Sequence, residues 1–359
     1  MNLPDHGANP QRLYKKMGME RPQRIWDFSE NVHPFGPPAF IGESWQSLQH
    51  LITSYPDPDG EPFRSAAARY HEVEPDRVIA GNGAAEIFTW LARRYRGKRV
   101  VLIEPAFSEY RKTLEAEGAE IKTVQLTEEN GWRLDIEQAA KAAKGSAAVY
   151  ICNPHNPTGR LLQQSELLAL AEACAEAGCE LVLDEAFIDF AGEEFSLIPL
   201  QKSLPHVIIV RSMTKMYAIP GLRLGYALGE PGILDELKQG AAHWNVNAIS
   251  SHIGAGCFKE QAYRNQVVKE AVAERNKMVR FLTGNGFQTT DSSANFLAFR
   301  LPHGKDADRF FEELLAKGIV LRHTKSFRGM DGQWFRIGMK SADRMEELRG
   351  AIVQWLQDN

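Results

Sequence analysis

Lys215 lies among hydroxyl side chains rather than among other charges. In the stretch RSMTKMYAIPGLR it follows the apolar run Val207–Val210, and Arg223 comes eight residues later. An amine beside a dry strand and a second cation loses its proton more easily, which favours Schiff-base chemistry. Ser212 and Thr214 could hydrogen-bond a phosphate whose charge pairs with Arg223. Taken alone, the lysine is better explained as a surface residue at a strand–loop junction, so its interpretation depends on other segments.

A glycine-containing turn, IAGNGAAE, joins a predicted strand to a predicted helix. Its glycines let backbone N–H groups approach a phosphate at the helix N-terminus. A dinucleotide-binding turn is an alternative, because Glu104 ends a strand about 20 residues further on. That fingerprint, however, needs Gly or Ala where this chain has Glu86. The turn alone predicts either a phosphate site or a plain connection.

Two further segments place polar side chains at the ends of predicted strands. In CNPHNPTG, two X-Pro pairs make the loop rigid, and Asn153 and Asn156 present amides at the ligand-binding edge of the sheet. The alternative is a turn whose asparagines hold their own backbone. Asp184 ends the apolar strand LVLD, where a carboxylate needs a cation or a donor. A metal ion could serve, although no His or Cys cluster accompanies it, and a protonated ring nitrogen would serve equally well.

Together these segments describe a site for pyridoxal phosphate. A phosphate turn, amide donors, a buried acid and a lysine with a nearby arginine follow one another at strand C-termini. Lys215 would form an imine and Asp184 would pair with the pyridinium nitrogen, while the phosphate is held by the turn and the hydroxyls.

Strands alternating with helices must position these residues. The pattern predicts an α/β fold, with a mostly parallel sheet covered by helices. The predicted strands are Val78–Ala80, Val100–Glu104, Ala148–Cys152, Glu180–Asp184, Val207–Arg211 and Arg223–Leu228. The predicted helices are Ala85–Tyr95, Ser165–Ala177 and Ile233–Gln239. Ser165 is the expected N-cap of the second helix, and Gly178 ends it.

The length and the patterns predict a large domain followed by a smaller one. We expect an irregular N-terminal arm over residues 1–45, packed across both domains. A large cofactor-binding domain is expected over 46–260 and a small α+β domain over 261–359. A helical pattern from about Ser250 to Leu282 would bridge the two. Predicted strands Phe296–Arg300 and Trp334–Met339 flank a predicted helix over Asp306–Lys317 in the small domain.

The composition argues against several functional classes. The 359 residues carry a net charge of −4 and a pI near 6.2, which gives no attraction to nucleic acid or anionic membranes. No apolar run approaches the roughly 20 residues of a transmembrane helix, and MNLPDHGANP has no secretory signal pattern. Four cysteines without a C-x-x-C pair predict a reduced cytoplasmic location and no metal cluster.

The motifs GNGAAE, NPHNPTG, DEAF, SMTK and GLRLG occur in this order, and the likeness spans essentially the whole chain. The set resembles the fold-type I pyridoxal phosphate enzymes of the aspartate aminotransferase superfamily. Within it, the chain is most similar to the L-threonine-O-3-phosphate decarboxylases of cobalamin biosynthesis and to the histidinol-phosphate aminotransferases. HGAN at residues 6–9, DFSEN at 27–31, KMYAIPGLR, and Phe187 in place of tyrosine resemble the decarboxylases. Departures from their usual pattern are Ala8, Glu30 and His33, in place of Gly, Ala and Asn.

The resemblance implies a role for individual residues. Lys215 would carry the cofactor, with Asp184 on its ring nitrogen, Asn156 on its 3′-oxygen and Phe107 stacked on its ring. The cofactor phosphate would contact Gly83, Ala84, Ser212, Thr214, Arg223 and, from a second subunit, Tyr55, which implies a homodimer with shared active sites. The substrate would be a small phosphorylated amino acid, with Arg336 on its carboxylate, Arg322 on its phosphate, and His6, Asn31 and Arg160 nearby.

By this resemblance the expected reaction is decarboxylation of L-threonine O-3-phosphate, with histidinol-phosphate aminotransferase as the alternative. In both, the bond held perpendicular to the cofactor ring is the one that breaks, so substrate contacts rather than cofactor motifs choose the outcome. A non-catalytic cofactor-binding domain is less compatible with the joint presence of Lys215, Asp184 and Arg336. A nicotinamide-dependent dehydrogenase is not expected.

Overall fold

The computed structural model describes residues 3–4 and 6–359 of the chain. Its helices are α1 (Pro10–Met17), α2 (Ala39–Ser44), α3 (Phe63–Tyr70), α4 (Ala84–Arg94), α5 (Ser108–Ala116), α6 (Ile136–Ala143), α7 (Gln164–Glu176), α8 (Pro231–Lys238), α9 (Ala248–Cys257), α10 (Gln261–Gly284), α11 (Ala307–Ala316) and α12 (Ala342–Asp358). Its strands are β1 (Trp26–Asp27), β2 (Val78–Gly81), β3 (Arg99–Glu104), β4 (Glu120–Gln125), β5 (Ala148–Cys152), β6 (Glu180–Asp184), β7 (Val207–Ser212), β8 (Gly225–Leu228), β9 (Gln288–Thr289), β10 (Phe296–Arg300), β11 (Ile319–Val320), β12 (Arg322–His323) and β13 (Trp334–Gly338). Within the described residues, no helix is both long and apolar enough to cross a membrane.

The large sheet brings the ends of several strands to one edge. Its order is β2-β8-β7-β6-β5-β3-β4, and only β8 runs antiparallel to its neighbours. Cys152 pairs with Asp184, and Asp184 pairs with Val210, so the loops after β5, β6 and β7 leave side by side. The predicted α/β fold with a mostly parallel sheet is confirmed. Strand β4 was not predicted, because its sequence EIKTVQ lies at the sheet edge and is largely polar.

Two predictions about helices are wrong for local reasons. Ser165 is not an N-cap, because Gln163 and Glu166 form a capping box that starts α7 at Gln164. The helical pattern over 250–282 is interrupted, since α9 ends at Cys257 and α10 begins at Gln261. The prediction that Gly178 ends α7 is confirmed by its position just after the C-cap and its φ of +64°.

A second, antiparallel sheet positions two arginines. Its order is β12-β13-β10-β9, and Arg322 lies directly opposite Arg336. The N-terminal arm is not wholly irregular, because α1 packs Leu13 and Tyr14 into the core beneath this sheet. The Tyr14 hydroxyl donates to the Leu315 carbonyl at 2.7 Å. The arm therefore packs against this module, while the boundaries near residues 45 and 260 stay predictions.

A buried ion pair joins the C-terminal ends of β6 and β7. Arg211 Nε donates to Glu185 Oε2 at 2.7 Å, and the two side chains are 2% and 0% exposed. We expect Arg211→Met to lower the free energy of unfolding by about 3–5 kcal/mol, because it leaves the Glu185 carboxylate buried without its cation. Urea unfolding would measure this loss.

The matched control for Arg211 is Arg309→Met on the exposed face of α11. Arg309 pairs with Glu313 at 2.8 Å, but its side chain is 58% exposed. Its loss should cost only about 0.3–0.5 kcal/mol. Equal effects of the two substitutions would contradict the stabilising role of the buried pair.

Candidate active site

A cavity of about 380 Å³ lies where the carboxyl edge of the large sheet meets the antiparallel module. Residues that line it from the large sheet are Ala84, Phe107, Asn156, Asp184, Phe187, Ser212, Thr214, Lys215 and Arg223. Residues that line it from the module and the N-terminal arm are His6, Ser29, Glu30, Asn31, Arg322 and Arg336. Most predicted site residues are therefore together, and Gly83, Tyr55 and Arg160 are not among the lining residues.

The Lys215 amine lies just beyond the end of β7. Its Nζ donates to Ser212 Oγ at 3.0 Å and lies 5.5 Å from the centre of the Phe187 ring. Burial lowers the pKa of Lys215, the charges of Arg223 and Arg336 lower it further, and Asp184 opposes them. More of the amine is consequently neutral than in an exposed lysine, which suits a nucleophile that attacks an aldehyde.

The Asp184 carboxylate ends β6 at the floor of the cavity. The Tyr110 hydroxyl donates to its Oδ2, and the Ala186 N–H donates to its Oδ1 at 2.9 Å. Burial raises the pKa of Asp184, whereas the Tyr110 bond and the Lys215 charge lower it. Sequence reasoning missed Tyr110. The available signal was its position three residues after Phe107 at the start of α5, which places the two rings 5.7 Å apart.

A cradle for an anion surrounds the N-terminus of α4. Ser212 and Thr214 share a 2.9 Å hydrogen bond between their hydroxyls, and both line the cavity with Ala84. Gly83 has a φ of +76°, and a Cβ there would lie 2.5 Å from Arg223 Nη2. Gly83 therefore makes room for the arginine rather than lining the cavity itself. Helix N-terminus, hydroxyls and guanidinium together suit a phosphate.

These residues fit pyridoxal phosphate. The amine can bind the aldehyde carbon, the buried carboxylate can pair with the ring nitrogen, and the cradle can hold the phosphate. Across the described residues there is no group of three or more His, Cys, Asp or Glu side chains placed to hold a metal ion.

The two asparagines of NPHNPTG have different roles. Asn153 Oδ1 accepts from the Leu162 N–H at 2.8 Å, so it holds its own loop. Asn156 lines the cavity, and its Oδ1 accepts from Arg336 Nη1 at 2.6 Å, which leaves its NH₂ group as the donor for a cofactor oxygen. The turn interpretation therefore applies to Asn153, while the ligand-binding interpretation of Asn156 stays a prediction.

Two guanidinium groups face the same cavity from the antiparallel module. Arg336 Nη2 donates to the Ser29 carbonyl at 3.0 Å, and its buried Nε has no hydrogen-bond partner. Arg322 Nη2 donates to Ser326 Oγ at 2.6 Å. Burial and, after it, the charge of Arg322 lower the pKa of Arg336 to about 9. Anionic groups of a ligand would relieve this repulsion.

The N-terminal arm contributes to the cavity through His6 and Asn31. His6 Nε2 lies 2.9 Å from Glu109 Oε1, and its ring is 5.7 Å from that of Phe107. The buried Asn31 Oδ1 has no hydrogen-bond partner. Asn9 instead caps α1 by accepting from the Arg12 N–H. Of the HGAN motif, then, the histidine reaches the cavity and the asparagine is structural.

Arg160 lies outside the cavity, although it was predicted near the substrate. Its Nη1 is 4.0 Å from the exposed Asp291 carboxylate. Gly159, which precedes it, packs so closely on Ser292 that a Cβ would lie 2.0 Å from the serine Oγ. This contact and the 2.8 Å hydrogen bond from the Ser293 N–H to the Gly159 carbonyl hold the loop against the β9–β10 connection.

Tyr55 is 81% exposed and does not reach the cavity of its own chain. Its ring lies 4.7 Å from that of Trp244. If it donates to the cofactor phosphate of a second subunit, Tyr55→Phe should weaken cofactor binding about 10- to 100-fold, since hydrogen bonds to charged groups contribute about 1.5–3 kcal/mol. Equilibrium dialysis would measure this affinity. Phenylalanine keeps the contact with Trp244, and light scattering would check the oligomeric state. An unchanged affinity would contradict the shared site.

Comparison with known proteins agrees with this geometry. Residues 24–352 match the family model of aminotransferase class I and II. The chain is 31% identical to a threonine-phosphate decarboxylase of Salmonella typhimurium, over 97% of this chain and 95% of the relative. It is 32% identical to a histidinol-phosphate aminotransferase of Trichormus variabilis, over 88% and 89%. A histidinol-phosphate aminotransferase from Sinorhizobium meliloti, solved in complex with pyridoxal-5′-phosphate, superposes with a TM-score of 0.85 at 24% identity, covering 97% of this chain and 95% of that one. The chain belongs to the aminotransferase class I and II family of pyridoxal phosphate-dependent enzymes.

Proposed function

We propose that this enzyme decarboxylates L-threonine O-3-phosphate to (R)-1-amino-2-propanol O-2-phosphate and CO₂, a step of cobalamin biosynthesis. The observation that carries the proposal is the pairing of Arg322 with Arg336 in one cavity that His6 also lines. O-phosphothreonine presents a carboxylate and a phosphate on one small molecule and would use both arginines at once. Histidinol phosphate has no carboxylate, so in an aminotransferase it would use the phosphate-binding arginine alone, and only the dicarboxylate co-substrate would use both. The name of the Salmonella typhimurium relative supports the same choice.

The chain's own residues would select the bond that breaks. Bound pyridoxal phosphate supplies an electron sink for the bond at the substrate α-carbon that stands perpendicular to its ring. Arg336 would bind the carboxylate and Arg322 the phosphate, which fixes the rotation that places the carboxylate in that position. Lys215 Nζ would then donate a proton to the α-carbon. We further propose a cytoplasmic homodimer in which Tyr55 completes the partner's site.

The direct test is CO₂ release by the purified holoenzyme from O-phospho-L-threonine with no keto acid present. We expect one CO₂ for each substrate consumed, and L-threonine as a control should react far more slowly because it lacks the phosphate. Turnover of histidinol phosphate that depends on 2-oxoglutarate, without CO₂ from O-phosphothreonine, would overturn the proposal and establish the aminotransferase.

A further inference from the structure

A segment of the N-terminal arm crosses the end of β13 between two cations. The two cations are Arg336 and Lys340, and Gly338 lies midway between them in sequence. The Gly338 N–H donates to the Phe28 carbonyl at 2.9 Å. A Cβ on Gly338 would lie 2.2 Å from the Glu30 carbonyl oxygen, so only glycine allows the crossing. Arg336 donates to the Ser29 carbonyl, which precedes the crossing, and Lys340 donates to the Val32 carbonyl, which follows it.

Lys340 binds the side chain of Glu30 from behind the cavity wall. Its Nζ pairs with Glu30 Oε1 and donates to the Val32 carbonyl at 2.8 Å. The Val32 N–H donates to Glu30 Oε2 at 2.9 Å, which closes a tight loop around the carboxylate. Glu30 lines the cavity and keeps 23% of its side chain exposed, whereas Lys340 is only 3% exposed and does not line it.

The charge of Glu30 matters because the ligand is expected to be anionic. Among the described residues that line the cavity, the carboxylates are Glu30 and Asp184. Asp184 has the cofactor ring nitrogen as its expected partner. Glu30 faces the substrate side, and its charge acts on Arg336, where it opposes the lowering of the arginine pKa. Without Lys340, Glu30 would repel an anion and also weaken the pull of Arg336 on it.

We propose that Lys340 is a specificity-determining residue that acts through Glu30. By neutralising this carboxylate from outside the cavity, it keeps the Arg322–Arg336 pocket able to bind substrates with two anionic groups. The inference rests on the proposed function only for the identity of the substrate. The charge arrangement would serve any ligand that bears two acidic groups.

The experiment compares Lys340→Met, Glu30→Gln and the double variant as holoenzymes. Binding of succinate would be followed by the change in cofactor absorbance and that of O-phospho-L-threonine by its KM, and thermal melting would check folding. We expect Lys340→Met to weaken both ligands about 10- to 100-fold, because an uncompensated charge is exposed to the ligand in a partly buried site. Glu30→Gln should bind both more tightly than the wild type. The double variant should return to within about threefold of the wild type, because the effect requires the carboxylate. The affinity for L-threonine, which has one anionic group, should change less among these variants than the affinity for O-phosphothreonine.

Two outcomes would overturn the inference. A tenfold loss of affinity in Glu30→Gln would mean that Glu30 contacts the ligand itself. A double variant as weak as Lys340→Met would mean that Lys340 does not act through Glu30. If Lys340→Met does not fold, the other two variants still decide, because neither contains an unpaired carboxylate: a double variant that binds succinate tenfold more weakly than the wild type would overturn the inference. Succinate separates this inference from the proposed function: the expected succinate pattern in an enzyme that releases no CO₂ would reject the reaction alone.

Discussion

Replacement of Lys215 by alanine is expected to lower kcat/KM for CO₂ release by about 10³- to 10⁴-fold, since a positioned proton-transfer group contributes up to that factor. In the proposed reaction two tasks converge on Nζ: it would bind the cofactor covalently, and it would donate the proton to the substrate α-carbon. Its position against Ser212 Oγ and the lowering of its pKa by burial suit both tasks. No other described lysine lines the cavity, so no second amine can replace it.

Two matched variants separate these tasks from simple loss of charge. Lys215→Arg keeps a cation near Asp184 but cannot deprotonate, so it should be as inactive as the alanine variant. Ser212→Ala removes the 3.0 Å bond to Nζ and should cost far less. The absorbance of the bound cofactor would report loss of covalent attachment, and a small primary amine such as methylamine should restore part of the activity to Lys215→Ala only. Retention of a tenth of wild-type activity by either Lys215 variant would contradict the assignment.

The sequence was sufficient to predict the cavity position of residues that stand out by their own type and spacing. A lysine between hydroxyls, a carboxylate at the end of an apolar strand and two X-Pro pairs each indicate a chemical need, and the parallel sheet gathers strand ends at one edge. Lys215, Asp184, Asn156, Ser212, Thr214 and Arg223 therefore line one cavity, as predicted.

Residues that depend on long-range packing could not be predicted in this way. Tyr110 is 74 positions from Asp184 in sequence, and its spacing from Phe107 does not by itself indicate that its hydroxyl meets a carboxylate. Glu30 and Lys340 are 310 positions apart and meet because Gly338 permits a crossing. Arg160 directly follows the NPHNPTG motif, yet it does not line the cavity, and Gly159 before it packs on Ser292. Proximity in sequence to a motif is thus weaker evidence that a residue belongs to the site than proximity in the sheet.

Replacement of Asp184 by asparagine is expected to lower kcat about 10²- to 10⁴-fold, since removal of one member of a buried ion pair costs about 3–5 kcal/mol. A neutral amide cannot keep a proton on the cofactor ring nitrogen, and the electron sink is weakened accordingly. Stopped-flow CO₂ release and the pH titration of cofactor absorbance would both report the change. Wild-type rates in Asp184→Asn would contradict the ring-nitrogen assignment.

Tyr110→Phe is the milder variant to compare with Asp184→Asn, because Tyr110 does not line the cavity and would act on the cofactor through the Asp184 carboxylate. The Tyr110 hydrogen bond lowers the pKa of Asp184, so its loss should raise that pKa. The carboxylate would then become protonated at a higher pH, and the acid limb of the kcat profile should move towards neutral pH while the rate on the alkaline side changes little. In the double variant, Tyr110→Phe should add almost nothing to Asp184→Asn, because the acceptor charge is already absent. A rate loss in Tyr110→Phe that is equal at every pH, or that adds fully to that of Asp184→Asn, would show that the tyrosine acts by packing rather than by holding the carboxylate ionised.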